Sequence, residues 1–253
     1  MGEVIKDVSG AAATLNRNGN DQDNVLPVVN SKGDAPPGWS QPNHQINYEQ
    51  FLNWADEDTL AEWVNGNIIM TSPASYRHQE LGSYLNEIVR IFVRVNDLGR
   101  VIQPPFQMHL PGISGREPDL IFVRKERLGI LRNSYTQGPA DLAVEIVSPE
   151  SVSRDHTDKF GEYAAGGVPE YWLLDATTNT AIFYRLNQEG QYQIVPLDEQ
   201  GRYYSQAITG FWLKPSWLWR QPLPEPMRIL RLVGGAALID FLVAQSQQAD
   251  DEL

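Results

Sequence analysis

The sequence predicts an α/β domain with a mixed central β-sheet flanked by helices, and three observations carry that expectation. Two apolar runs, residues 120–123 and 142–147, have strand length and a β-branched or aromatic character. Residues 78–94 precede them, with Leu81, Leu85, Ile88 and Phe92 recurring at helical spacing. A second helical stretch, residues 155–165, follows the runs and is closed by Gly166-Gly167, with Pro169 beyond as a stop.

The remaining elements fall into place along the chain. Residues 1–45 are rich in Asn, Asp, Gly, Ser and Pro and read as a flexible N-terminal extension. The domain itself is expected over residues 46–220, with a C-terminal helical segment and tail over 221–253. Residues 47–54 have the pattern of a short amphipathic helix, and 62–70 that of a hairpin turning at Asn65-Gly66. Residues 101–103 and 106–110 read as strands ahead of the two apolar runs. Residues 171–174, 181–186 and 192–195 read as strands after them, separated by short polar turns. A C-terminal amphipathic helix is expected over 227–247, weakened at Gly234-Gly235.

Composition narrows the chemistry. The 253 residues contain no cysteine, which excludes disulfides and thiolate zinc sites. His44, His78, His109 and His156 show no paired metal-ligand spacing, so a bound metal would be a hard cation held by oxygen. No basic start followed by an apolar core marks a secretory signal, and the apolar patch at 232–239 is too short to span a bilayer, so a cytoplasmic location without membrane is expected. A net charge of −12 argues against coating nucleic acid by bulk electrostatics. Residues 90–159, however, hold ten Lys/Arg against nine Asp/Glu, leaving that window at +1 and the rest at −13.

Within that window two carboxylates sit at the start of or inside apolar runs: Asp119 after Pro118, and Glu145 between Val144 and Ile146. A buried acid is costly without partners, and a divalent cation is one way to offset the cost. If the two strands are neighbours in register, Asp119 and Glu145 converge, and the Ile146 carbonyl offers a further oxygen ligand. Asp155, Lys159 and Tyr163 recur at four-residue spacing and share a helix face. Each residue also has a plainer reading. Asp119 can cap a turn, Glu145 can pair with a base, and Lys159 can lie solvated on an outer face. Glu62 and His78, at a hairpin and a helix start, are supporting candidates. Trp212, Trp217 and Trp219 read as core or dimer-interface anchors.

Pro118-Asp119, Val144-Glu145-Ile146-Val147-Ser148-Pro149, Asp155-x-x-x-Lys159-x-x-x-Tyr163 and the segment from Gly167 to Asp175 together resemble the bacterial Uma-type family, a branch of the restriction-endonuclease-like PD-(D/E)xK nucleases. The similarity runs over residues 62–186 and takes in Glu62, Gly66 and His78. The resemblance implies a restriction-endonuclease-like core and an endonuclease that hydrolyses phosphodiester bonds of DNA. It also implies Mg²⁺ as cofactor, with Mn²⁺ able to substitute, and a homodimer. By motif position Asp119 and Glu145 become metal ligands, while Lys159, Glu62, His78 and Tyr163 complete the catalytic set. One departure stands out: Val147 occupies the place of the superfamily lysine, two residues after the second acid, so Lys159 has to reach the same space from the next helix. A catalytically silent nucleic-acid-binding or partner-binding protein on the same fold is the alternative, and an unrelated carboxylate metallohydrolase is a closer competitor.

Overall fold

A computed structural model describes residues 32, 34–36, 45–56, 58–71, 73–147 and 157–252. Most of the expected N-terminal extension, His44, Ser148-Pro149, Asp155 and His156 lie outside the described residues. Of the extension, Pro36 is buried, and the Asp34 carbonyl accepts from the Trp54 indole at 2.7 Å.

The apolar run Leu142–Val147, β8, lies in the middle of the molecule because both of its faces are covered. Leu142, Val144 and Ile146 point one way and Ala143 and Val147 the other, all at most 2% exposed. Beside it run β6 (Leu120–Arg124), antiparallel, and β9 (Glu170–Asp175), parallel. Antiparallel neighbours β3 (Gly99–Ile102), β10 (Thr180–Leu186) and β11 (Tyr192–Ile194) complete a six-stranded mixed sheet in the order β11-β10-β9-β8-β6-β3.

One face of this sheet packs on helix α2 (Tyr76–Val95), whose Leu81, Leu85, Ile88 and Phe92 meet Val144, Ile146, Trp172 and Leu174. The C-terminal helix α4 (Pro226–Glu252) joins that layer through Ile229, Leu230 and Leu238. Its helical path breaks at Gly235 (φ 54°, ψ −140°), at the glycine pair that weakened it in the sequence. Trp217 is buried there, and Trp212 and Trp219 pack partly against the same core, in keeping with the core reading. A small β-pair, β12 (Tyr203–Tyr204) with β13 (Trp212–Leu213), lies in this region.

The other face meets a second sheet that the sequence did not separate from the first. It comprises β1 (Ala61–Val64), β2 (Asn67–Met70), β4 (Gln107–Leu110), β5 (Ser114–Arg116) and β7 (Tyr135–Gln137), in the order β2-β1-β5-β4-β7. Met108 and Leu110 of β4 pack with Ile121, Ala143, Val147 and Leu173, so the two sheets share a core. Its outer side is closed by α1 (Tyr48–Trp54) through Phe51, Trp54 and Trp63. The hairpin β1–β2 turns at Asn65 and Gly66, both at positive φ (48° and 86°), as a two-residue turn of this kind requires. Among the described residues no helix is long and apolar enough to cross a membrane.

The helix expected after β8 is present from 157 onward, and residues 155–156 lie outside the described residues. As α3 it covers Lys159–Gly166 among the described residues, and ends at Gly167 in the left-handed conformation (φ 80°). Gly166 lets it approach β4 closely: a Cβ there would stand 2.6 Å from Leu110 Cδ1.

Candidate active site

The site begins with strand register. Leu120 pairs with Val144 across β6 and β8, so continuing the register one step brings Asp119 opposite Glu145 along the backbone, and Glu145 points toward the second sheet. Asp119 lies immediately ahead of β6. The Ile146 backbone N–H donates to Asp119 Oδ2 at 2.7 Å. Its other oxygen lies 3.3 Å from His78 Nε2. His78 stands in the first turn of α2, where Ser75 caps the helix by accepting from the His78 N–H at 3.2 Å.

Glu145 is 2% exposed and has its partners on α3. Lys159 Nζ donates to Oε2 at 2.7 Å and Tyr163 Oη to Oε1 at 2.5 Å. The four-residue spacing puts both donors on one face of the helix, and that face turns inward. Lys159 is 5% exposed, which overturns the solvated outer-face reading of a helical lysine. Burial, reinforced by the Glu145 charge, pushes the Tyr163 phenol well above its ordinary value, so it acts as a donor and keeps its proton.

Glu62 comes from the second sheet. One of its oxygens lies 3.6 Å from Lys159 Nζ and accepts the Glu117 N–H at 3.0 Å; the other accepts from Arg116 at 2.9 Å. Burial acts to raise its pKa, but Lys159 and Arg116 together override it and hold the carboxyl at about 2. Glu117 goes the other way: burial first, then the Glu62 charge, push it up to about 7.

The structure joins Glu145, Lys159, Tyr163 and Glu62 through side-chain contacts, and Asp119 to His78 and the Ile146 N–H. Sequence reasoning missed Arg116, Glu117 and Glu162. Arg116, 1% exposed, donates to Glu162 through Nε at 2.8 Å and Nη2 at 2.6 Å while its third nitrogen holds Glu62. The available signal was Arg116-Glu117 directly before Pro118-Asp119, with Glu162 one turn after Lys159.

The donor chemistry suits a hard cation. Asp119 and Glu145 offer carboxylate oxygens, each able to accept more than one partner. Among the described residues, Glu62, Glu145 and Glu162 surround the cations Arg116 and Lys159, with Glu117 joined to Glu62 through its N–H. Among the described residues no three such groups form a ready cage. Mg²⁺ commonly takes one or two carboxylates and fills its other positions with water and phosphate oxygens, which is what two facing acids provide.

The model of the Uma2 family, described as "putative restriction endonuclease", matches residues 48–216. Among solved structures, a protein from Anabaena variabilis ATCC 29413, described as a "putative nuclease belonging to DUF820", superposes with a TM-score of 0.58 at 19% identity. The match covers 69% of this chain and 97% of that one, and shows a shared fold. No curated protein matches the sequence.

Proposed function

The chain belongs to the Uma2 family, and on that premise we propose that it is a Mg²⁺-dependent endonuclease hydrolysing phosphodiester bonds of DNA. The observation that carries the reading is the buried Lys159 ammonium 2.7 Å from Glu145, on the strand that pairs with the one Asp119 immediately precedes. The family description supports the nuclease class and DNA as substrate.

Asp119, Glu145 and the Ile146 carbonyl would hold the ion. When bound, Mg²⁺ supplies Lewis-acid activation of water and neutralises charge on the phosphate. The Ile146 N–H and His78 fix the Asp119 carboxylate, and Tyr163 fixes that of Glu145. Lys159 positions the attacking water or stabilises charge developing on the scissile phosphate, in a pocket dry enough to strengthen that interaction. Glu62 stays ionised beside it and balances its charge. A homodimer would present one such site to each DNA strand, and sedimentation across a range of concentrations tests it.

The decisive experiment is cleavage of supercoiled plasmid with Mg²⁺, Mn²⁺ or chelator. Cleavage is expected with either metal and none with chelator, and Asp119→Ala or Glu145→Ala should abolish it. Undiminished cleavage by both variants would remove the mechanism. One observation favours a second reading, a catalytically silent nucleic-acid-binding or partner-binding protein: Lys159 and Tyr163 already satisfy both Glu145 oxygens from within the chain. Under that reading no divalent metal elicits cleavage from the wild type.

A further inference from the structure

We infer that the buried pair Arg116–Glu162 is the clamp that sets the position of Lys159, making both positioning residues of the site; its catalytic consequence rests on the nuclease reading above. Among the described residues α3 runs over Lys159–Gly166, directly after π-helical residues 157–158, and Asp158 makes no side-chain capping bond. A segment of roughly two to three helical turns takes its place mainly from tertiary contacts. Its C-terminal end has them, in the packing of Gly166 on Leu110 and the cap at Gly167. The end that carries Lys159 is held differently.

Glu162 lies one turn beyond Lys159 and meets Arg116 in a two-bond fork, 2.8 and 2.6 Å. The third guanidinium nitrogen is fixed by Glu62 at 2.9 Å, so Arg116 joins β1, β5 and α3 at one buried point. A planar fork fixes direction as well as distance, which a lysine ammonium on a flexible stem cannot reproduce. Lys159 is itself such an ammonium. It stands between Glu145 of one sheet and Glu62 of the other, at 2.7 and 3.6 Å. Which of them it serves, and how closely, depends on where α3 stands. Among the described residues, the other cation in the cluster, Arg116, is the one that pins α3.

The test compares wild type with Glu162→Ala, Glu162→Gln and Arg116→Lys. Glu162→Ala leaves Arg116 its bond to Glu62, so the domain still folds. Three quantities are read: amide hydrogen exchange of residues 159–166, reductive methylation of Lys159 followed by mass spectrometry, and plasmid cleavage separated into kcat and KM. In Glu162→Ala, exchange in α3 should rise at least about tenfold while β8 and β9 stay protected. Lys159 should become methylated faster, and kcat should fall roughly 10- to 100-fold with KM within about twofold. Glu162→Gln keeps an acceptor for Arg116 and should recover part of each effect, whereas Arg116→Lys should not. Unchanged exchange and labelling in Glu162→Ala and Arg116→Lys, or faster exchange spread evenly through β8 and β9, would overturn the clamp. A wild type that never cleaves DNA would sink the nuclease reading alone, since exchange and labelling still decide the clamp.

Discussion

Glu145 and Glu170 are both buried acids on neighbouring parallel strands, yet they face opposite sides of one sheet and live in different company. Glu170 opens β9 on the α2 side. It accepts from Trp172 Nε1, Ser205 Oγ and the backbone N–H groups of Gln206 and Ala207, at 2.7–2.8 Å. Those four donors are neutral dipoles, two of them part of the main chain, and they hold the loop after β12 against the sheet. Glu145 has an ammonium and a phenol, both on side chains of one short helix. A buried acid does not by itself mark a site. What separates the two is whether the partners can be exchanged for something that arrives from outside.

The comparison can be broken at three points. The largest effect is expected at Glu170→Ala, which strands four donors in the core. At about 1–3 kcal/mol for each unmet group, the domain should lose about 5 kcal/mol or more, read as a lowered denaturant midpoint. A mild loss would mean that Glu170 is as replaceable as Glu145.

Next comes Lys159→Met, which removes the cation paired with buried, charged Glu145, at a cost of about 4 kcal/mol. The double variant Lys159→Met, Glu145→Gln removes both charges and should regain most of that stability while remaining inactive. Denaturation of the single and double variants measures the difference. A double variant as unstable as the single would assign the Lys159–Glu145 pair a structural role like that of Glu170.

The smallest effect is in pH. Glu117, raised to about 7 from its usual 4.5, keeps in the folded protein a proton that the unfolded chain releases. Its contribution is full below pH 4.5 and is lost as pH rises through 7, on the order of 3 kcal/mol. Glu62, lowered to about 2, has the opposite sign: its contribution is present above pH 4.5 and fades as pH falls toward 2. Thermal melts from pH 4.5 to 8 should therefore fall for wild type and flatten in Glu117→Gln. Parallel curves would show that Glu117 titrates freely.

Much of the scaffold was legible because local rules dominate there. The Asn65-Gly66 turn, the helical spacing of α2, the glycine break in α4 and the apolar run of β8 are each set by a few adjacent residues. Asp119 and Glu145 could be paired because register carries information across a strand pair. The second sheet was not separable: β5 and β7 are three residues each, and β5 reads Ser-Gly-Arg, with no apolar period. Arg116 was overlooked for the same reason, since a charged residue in a short polar run looks solvent-facing. Its burial is decided by Glu62 and Glu162, 54 and 46 positions away. Glu170 shows the converse, an acid in an apolar run that the same reasoning would have offered to a metal.

Lys159 stands fourteen positions after Glu145, on the crossover between two parallel strands, where the superfamily pattern has its lysine two positions on. An acid and a base fixed on one strand must keep their interval forever. Once the base rides on a docked helix, only the docking has to be inherited, and the intervening stretch is free to grow, shrink or change its composition. Searches keyed to a rigid tripeptide will pass over relatives of this kind, and descent among them is better traced through whatever anchors that helix than through the distance between its ammonium and the acid it meets.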